Sequence, residues 1–159
     1  MTQNEITTLF GRLVKEYQSP LRRYLWYLTH GDSAKADDLA QETFIKAWQS
    51  YASFRGGSFR AWLFTIAFRN FLDEKRRAHT FEKVETLDKC SYTDKEGEIL
   101  DVALDCLDEN EKNLLLLSAV EQFSHAEISQ LTTLPLGSVK STIKRAKTKL
   151  RNYLRNEED

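Results

Sequence analysis

The chain has few of the residues that cross-link or interrupt a small protein. Among its 159 residues are two cysteines, two prolines and six glycines. Cys90 and Cys106 are too few for a disulfide framework and too far apart for a thiolate metal motif, so we expect reduced thiols. The sequence also lacks an apolar run of about 18 residues and a signal-peptide pattern, which predicts a cytoplasmic protein.

The three histidines do not suggest a catalytic or metal centre. His30, His79 and His125 are scattered along the chain, with neither the spacing of metal ligands nor that of a catalytic triad. We therefore expect no enzymatic activity, no metal, no cofactor and no small-molecule substrate. His125 is expected at the surface, near the start of a helix.

Charge is nearly balanced in total but is segregated along the chain. The net charge is −1. Residues 55–77 and 137–155 are basic, and the stretch between them, residues 82–113, is strongly acidic. Two basic regions on either side of an acidic one predict weak nucleic-acid binding alone and stronger binding beside a partner that adds contacts. The same pattern raises the hypothesis that an acidic linker between the two basic regions folds back over their basic faces in the free protein.

Apolar residues recur at spacings of three and four, and strand-like alternation is absent, so the sequence predicts an all-α protein. Periodicity fades after residue 78 and resumes near residue 95. We therefore predict two small helical domains, residues 1–78 and 95–159, joined by a flexible linker at residues 79–94.

The end of the second domain has the pattern of a helix-turn-helix. Ser124 and Glu127 form a capping-box signature, and Pro135 interrupts the helix that begins there. The next helix is apolar on one face and carries seven basic residues and no acidic ones between Gly137 and Arg155. This pattern predicts a recognition helix for the major groove, although a solvated basic face is the simpler interpretation of the charges alone. Thr132-Thr133 stand where such turns often carry glycine.

A second nucleic-acid candidate is the helix predicted from Phe59 to Arg77. It is apolar nearly all round, with aromatic residues next to arginines and lysine. Aromatic rings beside cations suit single-stranded nucleic acid, because bases stack on rings while cations hold the backbone. Burial of a central helix on two sides explains the same pattern, and the pattern alone favours burial.

Taken together, three segments in this order resemble a bacterial RNA polymerase sigma factor of the extracytoplasmic function (ECF) class of the sigma-70 family. The segments are residues 37–48 (DDLAQETFIKAW), 58–67 (SFRAWLFTIA) and 136–146 (LGSVKSTIKRA). The resemblance extends from about Leu21 to Leu154. It implies a protein that binds core RNA polymerase, directs it to specific promoters and assists DNA melting.

The resemblance also implies roles for individual positions. Polymerase contacts are expected from the polar face of the second helix: Asp37, Asp38, Gln41, Glu42 and Ile45. The resemblance reverses the preference for burial of the 59–77 helix, because it implies that this helix contacts the minus-ten element. These contacts are expected from Phe59, Arg60, Trp62, Arg69, Asn70, Lys75, Arg76 and Arg77. Contacts with the minus-thirty-five element are expected from Ser138, Lys140, Ser141, Thr142, Lys144, Arg145 and Lys147.

One departure from the family concerns the minus-ten residues. Relatives commonly carry Asn two residues after the Ile-Ala pair, where this chain has Phe68-Arg69 and only then Asn70. Arg69 is therefore a candidate base reader, and the minus-ten preference of relatives does not transfer to this chain.

The implied partners are core RNA polymerase, promoter DNA and an anti-sigma factor, which is often membrane-anchored in this family. The alternative is a stand-alone helix-turn-helix regulator whose N-terminal half is a sensor or dimerisation domain. That alternative predicts tight, specific duplex binding without polymerase.

Overall fold

A computed structural model describes residues 2–80 and 95–158 and, among these, the side chains of residues 2–78 and 100–156. In this part of the chain all regular structure is helical, as predicted. The helices are α1 (Gln3–Leu28), α2 (Ser33–Ser50), α3 (Phe59–Thr80), α4 (Lys95–Leu104), α5 (Glu109–Leu115), α6 (His125–Thr132) and α7 (Leu136–Glu158). A 3₁₀ turn spans Tyr51–Ser53 and a π-helical turn spans Leu116–Val120. Most of the predicted linker, residues 81–94, lies outside the described residues.

Helix α1 begins well before Leu21, from which Leu21, Tyr24, Leu25 and Leu28 recur at helical spacing. It starts with a capping box, in which the Thr2 hydroxyl accepts from the Glu5 N–H at 3.3 Å and the Glu5 carboxylate accepts from the Thr2 N–H at 2.7 Å. Its first half is mostly exposed, with Phe10 buried, so the apolar pattern is weak there. Asp108 and Ser124 open α5 and α6 with capping boxes of the same kind.

The first three helices pack together around a common apolar core. Leu21, Tyr24, Leu25 and Leu28 of α1 are fully buried against α2 and α3. Between α2 and α3 the chain turns at Gly56 and Gly57, where φ is +88° and +83° and a side chain would be strained. This turn lets α3 return along α1 and α2.

The last four helices form a second unit in which α4, α5 and α6 pack on α7. The four leucines at positions 114–117 are buried with Ile128 of α6 and with Val139 and Ile143 of α7. Thr133, the residue after α6, adopts the left-handed conformation with φ of +60°. Threonine therefore occupies the position for which glycine is the usual residue, and Pro135 precedes the first residue of α7.

The two units contact each other directly. The Phe64 and Phe123 rings lie edge to face with centroids 5.4 Å apart, and the Tyr24 hydroxyl donates to the Asn113 side-chain oxygen. All four side chains are buried, and the apolar core runs continuously through both units. The interface thus brings α1 and α3 against α5, the π-helical turn and α6.

Candidate polymerase-binding and nucleic-acid interfaces

The outer face of α2 gathers the residues predicted to bind polymerase. Its opposite face, which includes Leu39 and Thr43, is buried, and this fixes the orientation of the helix. Asp37, Asp38 and Gln41 are exposed as a result. A partly exposed salt bridge of 3.5 Å joins Asp37 to Arg22 of α1.

An apolar patch continues this polar face toward the C-terminal end of α2. Ile45 is 57% exposed, and Trp48, one turn later on α2, is 38% exposed. Trp48 rests on the buried ring of Phe10, with centroids 5.0 Å apart. Next to them Glu42 is partly exposed and pairs with Lys46 at 3.2 Å. Charged and apolar groups on one helix face form a surface suited to a protein partner.

A shallow groove of about 270 Å³ lies between the α2 face and α3. Most of its charged side chains are carboxylates, and its lining is Asp38, Leu39, Glu42, Asn70, Asp73, Glu74 and Arg77. The groove therefore extends the negative potential of α2 onto α3.

The aromatic residues predicted for the minus-ten element belong to a ring cluster at the turn before α3. Phe59 and Trp62 have ring centroids 5.6 Å apart, and each also contacts Phe54. Phe59 further contacts Tyr17 of α1. Phe54, Phe59 and Trp62 are partly exposed, so the cluster offers aromatic surface while its inner edge joins the core.

The basic residues near the end of α3 lie on an exposed surface. Arg69, Lys75, Arg76 and Arg77 are all exposed. Arg76 is 3.9 Å from Asp73, one turn earlier. These side chains form a positive stretch beyond the aromatic cluster, which is the combination that single-stranded nucleic acid requires.

Asn70 differs from the other predicted minus-ten residues because its side chain is 4% exposed. Its oxygen accepts from Lys46 Nζ at 2.6 Å, and its amide nitrogen donates to the Thr43 hydroxyl at 3.1 Å. The predicted base contact is not available to Asn70 in this conformation, because both polar atoms join α3 to α2.

Arg60, also predicted for the minus-ten element, is directed toward the C-terminal unit. Its guanidinium carbon lies 4.1 Å from the Phe123 ring centroid, and its Nη2 donates to the Glu121 carbonyl oxygen. The Glu121 carboxylate approaches the same guanidinium at 3.4 Å and accepts two hydrogen bonds of 3.2 Å from Arg23 Nη2.

The Glu121 side chain is only 1% exposed, although it ends in a carboxyl group. Burial raises the pKa of Glu121 above its usual value, and the nearby Arg23 and Arg60 oppose that rise. The two guanidinium groups thus compensate a charge that the interior disfavours.

Helix α7, the predicted recognition helix, presents most of its predicted DNA contacts to solvent. Ser138, Lys140, Ser141, Lys144 and Lys147 are exposed. Thr142 is 7% exposed because it lies on the inner face of α7, which also carries the buried Val139 and Ile143. Its side chain is therefore not available to a base in this conformation.

Arg145 is exposed but takes part in an ion-pair cluster with α5. The buried carboxylate of Glu111 accepts from Arg145 Nε at 3.2 Å and from Lys149 Nζ at 2.8 Å. Burial by itself would raise the pKa of Glu111, but the hydrogen bonds from Lys149, the Asp108 N–H and Arg145 lower it to about 2. This cluster fixes α7 on α5.

Among the residues that the structure describes, three metal-capable side chains meet where the turn after α1 approaches the end of α4. His30, Asp101 and Asp105 bring their ligand atoms within 4.8 Å of one another. His30 Nδ1 is 2.8 Å from the Asp105 carboxylate, and the Lys112 ammonium is 3.4 Å from the same nitrogen. Since a lysine ammonium already supplies positive charge there, the group is better described as an interdomain ion cluster.

The sequence did not indicate that Arg23, Glu121 and Phe123 take part in the contact between Arg60 and the C-terminal unit. Arg23 and Glu121 are 98 positions apart, and Arg60 and Glu121 are 61 apart. Glu121 lies four positions after Leu117, the last of four consecutive leucines, and a carboxyl group so soon after an apolar run is the signal that could have marked it.

The helices that the structure describes include none with the length and apolar character needed to span a bilayer. The fold and the two surfaces define a class: a helical protein of two units, with an exposed polar and apolar helix face in the first unit and a helix-turn-helix with a basic exposed face in the second.

Comparison with known families agrees with this class. Residues 13–80 match the family model for sigma-70 region 2, and residues 97–150 match that for sigma-70 region 4. The chain is 32% identical over 156 residues to the RNA polymerase sigma factor YlaC of Bacillus subtilis, covering 89% of this chain and 90% of that protein. It is 31% identical over 158 residues to the ECF RNA polymerase sigma factor SigE of Mycolicibacterium smegmatis, covering 91% of this chain and 61% of that one.

Solved structures show the same relationship. The sigma factor RpoE from Bartonella quintana, in complex with the anti-sigma factor NepR, superposes with a TM-score of 0.79 at 26% identity, covering 92% of this chain and 96% of that one. CnrH, in complex with the cytosolic domain of CnrY, gives a TM-score of 0.75 at 27% identity, covering 94% and 90%. The chain belongs to the sigma-70 family of RNA polymerase sigma factors, in its ECF class.

Proposed function

We propose that this sigma factor docks on core RNA polymerase through the outer face of α2. The observation that carries the proposal is the sharp division of α2 into a buried face and a face that exposes Asp37, Asp38, Gln41 and Ile45. Partly exposed Glu42 and the acidic groove toward α3 extend the negative surface. A basic helix of the partner would therefore complement the α2 face in shape and in charge.

Docking places α3 at the minus-ten element. The proposed reader is the partly exposed aromatic surface of Phe59 and Trp62, followed by the cations Arg69, Lys75, Arg76 and Arg77. Melting exposes unpaired bases, and stacking on rings with phosphate contacts offsets the few kcal/mol that unstacking costs. Arg69 is the proposed base reader. Asn70 holds α3 on α2 in this conformation and supports the surface indirectly.

The minus-thirty-five element is assigned to α7. Lys140, Ser141, Lys144 and Lys147 stand on its exposed face, and Ser138 lies in its first turn. An exposed basic face on the second helix of a helix-turn-helix supports insertion into the major groove. Arg145 combines a role in holding α7 on α5 with access to phosphates.

Catalysis is left to the polymerase, and the site of action is the cytoplasm, where transcription takes place. An anti-sigma factor is the proposed regulator, because the two solved relatives described above are bound to NepR and CnrY. The outer face of α2 and the basic face of α3 are the surfaces that such a regulator would cover.

The experiment that tests the function uses the full chain with bacterial core RNA polymerase. The two are passed together over gel filtration, and transcripts that the complex starts on genomic DNA are sequenced. A stable complex with new start sites supports the proposal and yields the promoter motif. Failure to form a complex, together with specific duplex binding by the chain alone, favours an independent helix-turn-helix regulator.

A further inference from the structure

Arg60 is enclosed by the C-terminal unit, although the proposed function gives the surface around it to promoter DNA. The Phe123 ring covers one side of the guanidinium at 4.1 Å, and the Glu121 carbonyl and carboxylate both accept hydrogen bonds from Arg60 Nη2. The Arg60 side chain is 29% exposed as a consequence. A nucleic-acid base or phosphate cannot accept from Nη2 while Glu121 holds it.

A second cation of α3 is also held by a carboxylate of the C-terminal unit. Lys75 Nζ pairs with the carboxylate of Glu109 at the start of α5. Arg23 of α1 adds the paired hydrogen bonds to Glu121 described above. Carboxylates bind guanidinium and ammonium groups through the same charge-assisted hydrogen bonds that phosphates use. Glu109 and Glu121 therefore occupy cations of α3 in the way that DNA phosphates would.

The backbone around Glu121 is shaped for this contact. The π-helical turn Leu116–Val120 ends next to Glu121, and Gln122 takes the left-handed conformation with φ of +59°. This turn directs both the Glu121 carbonyl and the Phe123 ring toward Arg60. Single π-helical turns occur frequently at functional sites, where they redirect side chains.

We propose that Arg23, Arg60, Glu121 and Phe123 form an interdomain latch that holds the free protein closed and shields part of its minus-ten surface. Glu121 is the central element, because a buried carboxylate is unfavourable once either guanidinium leaves it. Separation of the two units releases Arg60 and Lys75 together. The latch rests on the proposed role of α3 in minus-ten binding.

Closure lowers the apparent affinity for DNA in proportion to the fraction of open molecules. A variant that opens the latch without touching α3 is therefore expected to bind single-stranded DNA more tightly. Arg23→Glu is such a variant, because Arg23 lies on α1 and the new carboxylate faces the buried carboxylate of Glu121. Arg12→Glu is the matched control, since Arg12 is an exposed arginine on the same helix.

Two readouts test the latch in the full chain. Energy transfer between dyes on Ser50→Cys and Asn152→Cys, with both native cysteines changed to serine, reports the separation of the two units. Fluorescence anisotropy of a random-sequence single-stranded oligonucleotide of about 20 nucleotides reports access to α3 in the undyed chain. Arg23→Glu is expected to lower energy transfer and to tighten oligonucleotide binding about tenfold, whereas Arg12→Glu does neither.

A tighter complex would be notable because Arg23→Glu makes the chain more acidic, which by itself weakens binding to DNA. Unchanged energy transfer in Arg23→Glu would overturn the latch. So would open units with unchanged or weaker DNA binding, since the contact would then shield nothing. If circular dichroism shows that Arg23→Glu loses its helices, Arg23→Gln is measured in the same two ways, with the same directions expected.

The outcome is separable from that of the proposed function. A chain that opens in Arg23→Glu and binds the oligonucleotide more tightly, yet never co-elutes with core polymerase, contradicts the proposed function and leaves the latch supported. A chain that starts transcription with polymerase but shows no change in either readout contradicts the latch alone.

Discussion

Lys46 Nζ donates a 2.6 Å hydrogen bond to the side-chain oxygen of Asn70 and thereby joins α2 to α3. Thr43, also on α2, accepts the Asn70 amide at 3.1 Å. The two proposed surfaces are thus held at a fixed relative orientation by one buried amide. Arg69, its neighbour in sequence, points away from this link and is exposed.

Asn70 and Arg69 are therefore expected to give opposite phenotypes. Asn70→Ala should lower the free energy of unfolding by about 1–3 kcal/mol, because Lys46 and Thr43 lose their partner. Arg69→Ala should change it by less than about 0.5 kcal/mol and should reduce transcription from promoters in a way that depends on the minus-ten bases. Chemical denaturation and in vitro transcription measure the two effects. A stable Asn70→Ala chain with altered minus-ten preference would show that Asn70 reads bases.

Charge reversal on the outer face of α2 tests polymerase docking. Asp38→Lys, alone or with Glu42→Lys, is expected to abolish co-elution with core polymerase, because it places positive charge where the partner surface is predicted to be basic. Helix content should be unchanged, since Asp38 is exposed and Glu42 is only partly buried. Glu16→Lys makes the same charge change at an exposed position of α1 and should still co-elute. Normal transcription by Asp38→Lys would contradict the docking surface.

Lys144 and Arg145 are neighbours in sequence with different surroundings. Lys144→Ala should weaken promoter use at constant stability, by about 1–3 kcal/mol if Lys144 reads a base. If Lys144 contacts a phosphate instead, all promoters weaken alike and the salt slope falls by about one. Arg145→Ala should in addition lower the thermal midpoint, because Glu111 loses one of its two side-chain cations. If both variants use a promoter that retains its upstream element as well as the wild type does, the assignment of the minus-thirty-five element to α7 is wrong.

The Glu111 cluster predicts a specific dependence of stability on pH. The pKa of Glu111 is about 2 in the folded chain, against an ordinary value of 4.5. A lowered folded-state pKa stabilises the fold above about pH 4.5, and this contribution is lost as the pH falls toward about 2. Glu111→Gln should therefore unfold at a lower temperature than the wild type at neutral pH, with a difference that shrinks below about pH 4.5. A difference that is constant from neutral pH to pH 3 would show that the carboxylate is not ion-paired.

The sequence by itself determined the helices whose apolar residues keep a regular spacing. The buried faces of α2 and α7 follow the spacings of three and four, so their exposed faces, with Asp38 and Lys144, were predictable from one helix at a time. The capping box at Ser124 was also visible, because it is complete within four residues. The same local signature at Thr2 precedes the mostly exposed first half of α1. That half has no apolar stripe that would indicate a helix.

Only the tertiary structure decided which polar side chains are buried. Asn70 and Thr142 lie on helix faces that neighbouring helices cover, and their burial depends on how those helices pack. The contact of Arg60 with Glu121 joins residues 61 positions apart and depends on how the two units meet. Helix periodicity is a property of neighbouring residues in the chain, whereas the partner of a buried charge is fixed by packing between distant segments. For that reason the sequence determined the helices and their exposed faces, and the packing of the two units determined the latch.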